Sequence, residues 1–436
     1  MTPAARIAAV IDLFEGSAEG AAAGAVLRRG LQRRRYAGSG DRQAISALFW
    51  GVLRTQSRLA WHLEQLGHDP TPRNLVLAAL RLVDGMDGEQ AAAYFGGEDR
   101  HGPAALTESE IVLNDGLEGR ALNDPALPRA TRYEWPDDFI ADVEAALGAD
   151  TNAELDAMLG EAGTDLRINP LKAKDRRLVR DKLAGRGIKC HPTKLSPYGI
   201  RLTKRARTED LNEFKKGQFE IQDEGSQIAA LLCDARPGMQ VADICAGAAG
   251  KSLLMAAKME NRGRIIALDN DAERLERGAV RIRRAGIHNI ERVAVAGDWG
   301  TKRYRGKFDR VVIDAPCSGS GTWRRAVDAR WRLDAEGLAA LHAAQADLLE
   351  KGRAMVAPGG RIIYITCSLF HSEGEAQIAR LLDEAPELEI ADASDIWQDV
   401  IGTDNCPPVE NGMLRLRPGR DGTDGFFLAV LQSRLR

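Results

Sequence analysis

The chain has 436 residues, 44% of them hydrophobic and 28% charged, too many for one ordinary domain, so two or three cores are expected. No apolar run approaches a membrane span, and the amino-terminal Met-Thr-Pro-Ala-Ala-Arg lacks the build of a secretory leader; a membrane partner is not expected. Six cysteines (Cys190, Cys233, Cys245, Cys317, Cys367, Cys406) lie scattered with no Cys-x-x-Cys pair, which argues against zinc and a disulfide scaffold and for a reducing, cytoplasmic setting.

Helices are expected through the first ninety residues. Ile7, Val10, Ile11 and Phe14 repeat at helical spacing and stop near Gly16. Asp41 reads as an N-cap before Ile45, Leu48, Phe49 and Val52, a stripe that Leu59, Leu63 and Leu66 continue, and a third apolar helix spans about Leu75 to Val83. No catalytic constellation lies here, so a helical bundle with a binding or scaffolding role is expected. The runs Arg28-Arg29 and Arg33-Arg34-Arg35 suit either RNA or a solvated face. From about Asp84 to Asp124 the sequence is acidic and glycine-rich and reads as a linker or loop region.

A helical pattern resumes at Trp135 with Phe139, Ile140, Val143 and Leu147. A short strand at Asp165-Leu-Arg-Ile, a helix from Asp175 to Gly185 and a strand at Gly199-Ile-Arg-Leu then describe a small α+β module. The net charge of −3 hides a strong asymmetry here. Leu166 to Gly217 carries sixteen Lys and Arg against five Asp and Glu, a local +11 that leaves −14 for the remainder. So uneven a field can bind phosphates on one face, with Arg176, Arg177 and Arg180 as candidate contacts; the bland alternative is a solvated surface.

From Gly238 onward strands alternate with helices, which predicts a parallel, doubly wound sheet. Val241-Ala-Asp-Ile is its first strand and runs into Cys245-Ala-Gly-Ala-Ala-Gly-Lys-Ser, with a helix from about Ser252 to Met259. The second, Arg264-Ile-Ile-Ala-Leu, ends at Asp269, 22 residues past Gly247. The third runs from Arg292 to Ala296 and ends at Gly297-Asp298. The fourth is the β-branched run Val311, Val312, Ile313, stopped by Asp314 and Pro316, which places Asp314 and Cys317 at the lip of a crevice. The fifth, Gly360-Arg-Ile-Ile-Tyr-Ile, ends at Thr366-Cys367-Ser368.

Three chemistries compete for the glycine loop. A phosphate-cradling P-loop needs glycine six positions before Lys251, where Cys245 stands, and a dinucleotide site needs one glycine more than the loop has. A strand, a close-approaching loop and an acid at the end of the second strand also describe an S-adenosylmethionine pocket. Its residues would be Cys245, Ala246, Gly247, Ala248, Ala249, Gly250, Lys251, Asp269, Asp298 and Asp314.

Together, Asp314-Ala-Pro-Cys317-Ser, Thr366-Cys367-Ser368, the loop ending Gly250-Lys251-Ser252 and Asp424-Gly-Phe-Phe-Leu-Ala resemble the RsmB/Sun family of RNA cytosine-C5 methyltransferases. The resemblance covers about Trp135 to Leu431, and the pairing of Cys317 with Cys367 is its most specific part. Arg324-Arg325 with Asp328 and Trp331, and Gln222-Asp223, match as well. The helical amino terminus, especially Asp41-Arg42 through Trp50-Gly-Val-Leu-Arg, resembles a NusB-like domain. Two departures stand out: Ala248-Ala249 replaces the usual Pro-Gly, and Val327 replaces a proline. Because alanine resists positive φ, Gly247 is expected to supply the flexible point.

The resemblance implies three parts: a helical NusB-like RNA-binding domain over 1–125, a small basic α+β module over 126–217, and a Rossmann-like methyltransferase domain over 218–436. The implied cofactor is S-adenosyl-L-methionine and the implied partner RNA, with no obligate protein partner evident. Carbon 5 of cytosine is a poor nucleophile, and a thiolate added to carbon 6 makes it electron-rich. In the RNA family the nucleophile is the cysteine of Thr-Cys-Ser, here Cys367. The Pro-Cys residue, here Cys317, assists release, whereas DNA enzymes attack with the Pro-Cys residue. Asp314 is the candidate acid on the ring nitrogen. A target base so attacked must be unstacked or flipped. Small-subunit rRNA is favoured over tRNA by the NusB-like terminus. The other readings are an RNA-binding assembly factor without turnover and a DNA cytosine methyltransferase; the second is disfavoured by Thr-Cys-Ser and by the lack of a separate target-recognition region.

Overall fold

The amino-terminal stripes fold as helices at Pro3–Glu15, Ala23–Arg33, Ser39–Arg54, Gln56–Gln65 and Pro72–Leu82 in a computed structural model that describes residues 1–16, 20–97, 99–296 and 299–434. Thr2 and Thr71 cap the first and last of these, each followed by proline in the first turn. Leu75 through Arg81 are all buried, so Pro72–Leu82 is the central helix of this bundle. Asp41 is not the N-cap but the third helical residue. Gly38 opens the helix without a side chain, and the Asp41 carboxylate reaches back to accept its amide at 2.9 Å and Arg6 Nε at 2.8 Å. The stripe from Ile45 to Leu66 is broken at Thr55, whose hydroxyl donates to the Gly51 carbonyl at 2.8 Å.

The acidic stretch read as a linker or loop region is folded. It holds helices Gly88–Ala92 and Glu108–Gly116, and Ala91, Phe95, Leu113 and Leu117 join the core of the bundle. Its polar composition misleads because part of it works as caps: Asp87 with Gln90, and Thr107 with Glu110, form reciprocal capping boxes. This helical unit comprises Met1–Ile140 and Ala326–Leu333. Within it Val327 is buried in the same core, and Asp328 accepts the Ala23 amide at 3.0 Å.

Ala141–Arg325 and Asp334–Arg436 form the second unit, in which the small α+β module and the large sheet fold together. The module is an antiparallel sheet of β1 (Thr164–Ile168), β2 (Cys190–Pro192), β3 (Gly199–Leu202) and β4 (Phe219–Ile221) in the order β2-β3-β1-β4. Helix Arg176–Ala184, capped by Asp175, packs Val179 and Leu183 against it.

The large sheet contains β5 (Gln240–Ile244), β6 (Arg264–Asp269), β7 (Ile290–Ala294), β8 (Phe308–Asp314), β9 (Val356–Thr366), β10 (Leu388–Ala391), β11 (Val409–Glu410), β12 (Met413–Leu416) and β13 (Phe426–Ser433). Its order is β11-β12-β13-β9-β8-β5-β6-β7, with β10 also on β13. The five strands expected from sequence are parallel neighbours; β13 is antiparallel to β9, β10 and β12, so the sheet is mixed. Alternation along the central strands divides the core. Val312, Ile363, Ile365 and Leu428 face one layer, and Val311, Ile313, Ile362, Tyr364 and Phe427 the other. The chain runs outward from β5 to β7 and then returns to β8 on the other side of β5. That reversal opens a crevice at the carboxyl ends of β5 and β8.

Candidate active site

The loop from β5 to helix Gly250–Lys258 turns on three left-handed residues, Cys245 (φ +66°), Gly247 (φ +55°) and Ala249 (φ +60°). Gly247 takes positive φ as expected, but Ala249 takes it too, so the flexible point is not moved to Gly247 alone. The loop is held from outside. Arg281 Nη1 donates to the Ala248 carbonyl at 2.9 Å, Arg167 Nη1 to the Gly250 carbonyl at 2.7 Å, and the Ala246 amide to Leu268 at 2.9 Å. Holding of this kind offsets the roughly 1–2 kcal/mol that a left-handed alanine costs.

Asp269, buried at the end of β6, accepts the Gly247 amide at 2.7 Å on one oxygen and the Asp271 amide at 2.8 Å on the other. Each oxygen keeps a lone pair, which is what a ribose diol needs. Among the described residues, a Cβ built on Gly247 would meet nothing within 4 Å, which leaves the loop backbone open on that side beside the carboxylate. The residues present therefore fit an adenosine-bearing cofactor: Asp269 for the ribose, and Cys245 to Gly250 for close backbone approach. Asp298 lies outside the described residues.

Lys251 reaches from the helix start to Asp314 at the tip of β8, Nζ to Oδ2 at 2.6 Å. Burial opposes the lysine's charge, but Asp314 outweighs it and raises the pKa. Below this pair Asp243 is 1% exposed and shares a short hydrogen bond with the Ser252 hydroxyl. Burial pushes its carboxyl up to about 7, Ser252 pulls it down, and Asp314 adds to the rise.

Cys317 and Cys367 meet with their sulfurs 3.4 Å apart. Cys317 follows β8 and Cys367 follows β9, and parallel pairing of those strands sets their loops side by side. The Gly321 amide donates to the Cys367 carbonyl at 3.0 Å and the Ala315 amide to Ile365 at 2.9 Å. The hydrogen bond with Cys367, then burial, raises the Cys317 thiol well above its ordinary value, which keeps it protonated. Cys245 is also pushed up, to about 12, chiefly by burial, as suits a lining residue.

Several supporting residues were not legible as such. Arg167, counted with the basic module, is 3% exposed and serves the loop, and Glu220, which takes Arg281 at 3.1 Å and Arg284 at 2.5 Å, stands beside it. Asp424 gathers Arg324 at 2.8 Å and Arg325 at 2.5 Å, and Arg325 also reaches Asp223 at 3.0 Å. Burial and then Asp424 push Asp223 up to about 7. Buried Glu373 and Gln345 lie behind the Cys317 turn. Asp223, Arg324, Arg325 and Asp424 stand in motifs matched above, but their pairing is not legible there; Gln345 interrupts an apolar helical run, and Glu373 sits among other polar residues with no signal of its own.

Residues 230–432 match the family described as 16S rRNA methyltransferase RsmB/F. A probable ribosomal RNA small subunit methyltransferase B of Synechocystis sp. is 31% identical over 415 residues, 90% of this chain and 91% of that protein. Ribosomal RNA small subunit methyltransferase B of Yersinia enterocolitica is 27% identical over 413 residues, 90% of this chain and 91% of that protein. A crystal structure of a methyltransferase homolog from Pyrococcus horikoshii, 27% identical, superposes with a TM-score of 0.60 over 71% of this chain and 99% of its own. With these relatives, and with the loop and the paired cysteines at the carboxyl ends of neighbouring strands, the chain belongs to the RsmB/F family of S-adenosylmethionine-dependent RNA methyltransferases.

Proposed function

We propose that the protein methylates carbon 5 of a cytosine in small-subunit rRNA through a transient bond between Cys367 and carbon 6. The observation that carries this reading is the thiol pair at 3.4 Å in which Cys317 holds its proton. A neutral Cys317 leaves the nucleophile's part to Cys367, and Lys251, whose charge Asp314 and then Cys367 favour, places a cation near that sulfur. S-adenosylmethionine, when bound, supplies an electrophilic methyl group. Cys245, Ala246, Gly247, Ala248, Ala249 and Gly250 would hold it with Asp269 and Asp298. Asp314, one oxygen on Lys251, offers the other to the ring nitrogen edge, where a shared proton eases the addition. Loss of the proton on carbon 5 to water then expels Cys367 as a thiolate and restores the ring, and Cys317, whose sulfur is 3.4 Å from that of Cys367, is placed to share its proton with the departing sulfur.

The substrate assignment draws on the relatives' names and on charge. A concavity of about 580 Å³ in the α+β module is lined by Lys174, Arg176, Arg177, Arg180, Pro192 and Tyr198, which suits phosphates flanking an unstacked base. The helical unit, read as NusB-like, would add RNA contacts through Arg28, Arg29, Arg33 and Arg35, all exposed. Incubation with labelled S-adenosylmethionine and small-subunit rRNA, tRNA or DNA tests the reading. Label in rRNA cytosine is expected, label in tRNA or DNA reassigns the substrate, and none in any leaves an assembly factor. Cys367→Ala should abolish methylation and any adduct. Cys317→Ala should accumulate an RNA complex that survives denaturing electrophoresis and vanishes in the double variant. The opposite pattern would reverse the two roles.

A further inference from the structure

Glu373 is fully buried, yet no part of the chemistry above uses it. Its Oε1 accepts the Ser318 amide at 2.8 Å and Gln345 Nε2 at 3.0 Å, and its Oε2 accepts the Ser318 hydroxyl at 2.5 Å. Gln345 Nε2 also donates to the Pro316 carbonyl at 3.0 Å, and the Tyr364 hydroxyl donates to the carbonyl of Glu373 itself at 2.9 Å. The residues on both sides of Cys317 are thus bound to one carboxylate or to its partner. The network extends to the other cysteine. Ser318 Oγ lies 3.1 Å from Ser320 Oγ and 3.3 Å from Ser368 Oγ, and Ser320 and Ser368 are 2.9 Å apart. Each cysteine is followed by a serine, and the two serines meet. Ionised, Glu373 can only accept, so the Ser318 proton is committed to it and the orientation of the serine cluster is set from that end.

We propose that Glu373 is a positioning residue for the two-cysteine chemistry: its carboxylate fixes the Pro316–Ser318 turn and, through the three serine hydroxyls, the Thr366–Ser368 turn, and so sets the separation of the two sulfurs. The inference rests on the two-cysteine reading for its catalytic consequence but not for its geometry. A buried negative charge behind the turn also favours a neutral Cys317, in the same direction as the shift that thiol shows. An apolar side chain would fill the same space but leave the Ser318 amide, the Ser318 hydroxyl and Gln345 Nε2 without their acceptor, so the carboxylate does more than pack.

The test uses the full chain carrying Glu373→Gln, with Glu373→Asp as the conservative variant. Cys317 alkylation by iodoacetamide is followed by mass spectrometry across pH. In Glu373→Gln the midpoint should fall by about one unit, speeding alkylation at a pH below both midpoints about tenfold, with Glu373→Asp near wild type. In turnover kcat should fall about tenfold or more with KM for RNA unchanged, and a stable RNA complex should build up. An unchanged Cys317 profile in folded Glu373→Gln, or a kcat that falls only with the folded fraction, overturns the proposal. Should the profile shift while neither Glu373→Gln nor Cys317→Ala traps RNA, the positioning stands and the release role of Cys317 fails instead. If Glu373→Gln does not fold, Ser318→Ala removes one arm of the same carboxylate and must move the profile in the same direction.

Discussion

Asp243 offers a direct measure of how dry the floor of the crevice is. It lies at 1% exposure in β5; Ser252 partners one oxygen, and Oδ1 has no partner among the described residues. Burial raises its pKa from 3.8 to about 7. The folded state therefore holds the proton to higher pH than the unfolded chain does. The resulting stability is fully present below the unfolded value and is lost as pH rises through the folded one. Three units correspond to about 4 kcal/mol at most, of which about 3 kcal/mol falls between pH 5 and 8. Asp243→Asn removes the titration while keeping the shape, and its oxygen can still accept from Ser252. Its amino group, set where Oδ1 has no partner, costs about 1–3 kcal/mol at every pH. Urea unfolding from pH 5 to 8 should thus find wild type losing about 3 kcal/mol relative to the variant across that range, so that the variant is the more stable of the two by pH 8. Parallel stability curves would refute the reasoning, because they would mean that Asp243 ionises alike in both states.

Asp269→Ala should weaken S-adenosylmethionine binding by about 1–3 kcal/mol, roughly 5- to 150-fold, with little change in RNA affinity; unchanged cofactor affinity by calorimetry would remove Asp269 from the site. Joint replacement of exposed Lys174, Arg177 and Lys182 by alanine should flatten the salt dependence of RNA binding by about one unit for each phosphate no longer neutralised. An unaltered slope would make them a solvated face. Arg176 is left in place because it donates to the Ser196 and Gly199 carbonyls at 2.8 and 3.3 Å. Ala249→Gly should be close to neutral in thermal unfolding. Relief of about 1–2 kcal/mol of left-handed strain is set against about 0.8 kcal/mol of lost methyl burial and up to about 1 kcal/mol of backbone entropy. A loss beyond about 2 kcal/mol would mean that the methyl group, not the turn, is what the site needs.

The parallel half of the large sheet was legible because strands buried on both faces must be continuously apolar, and Val311-Val312-Ile313 can be little else. The motifs at the strand ends were legible because β-sheet order forces Asp314, Cys317 and Cys367 to one edge. What escaped was set by long-range partners. Arg167 reads as one more positive charge, and only the fold reveals that Gly250 takes its guanidinium. The antiparallel strand β13 carries the run Phe426 to Leu431, whose place beside β9 depends on pairing across about sixty residues of chain. Asp84 to Asp124 failed for the opposite reason: its caps are local, but its apolar residues are too sparse to announce a core. Glu373 looked like one of many surface acids after Thr-Cys-Ser.

Ala326–Leu333 leaves the catalytic unit just after Arg325 and rejoins it at Asp334, having spent those residues in the helical bundle. The two units are therefore interleaved along the chain, with three crossings between them. A fragment begun at Ala141 would carry this segment away from its own core. Val327 and Arg330, 1% and 2% exposed in the intact chain, would turn out to water, and Asp328 would lose the Ala23 amide. Such a fragment invites aggregation however well its sheet folds. Excision that joins Arg325 to Asp334 by a short polar bridge, rather than simple truncation, is the way to obtain the methyltransferase unit alone.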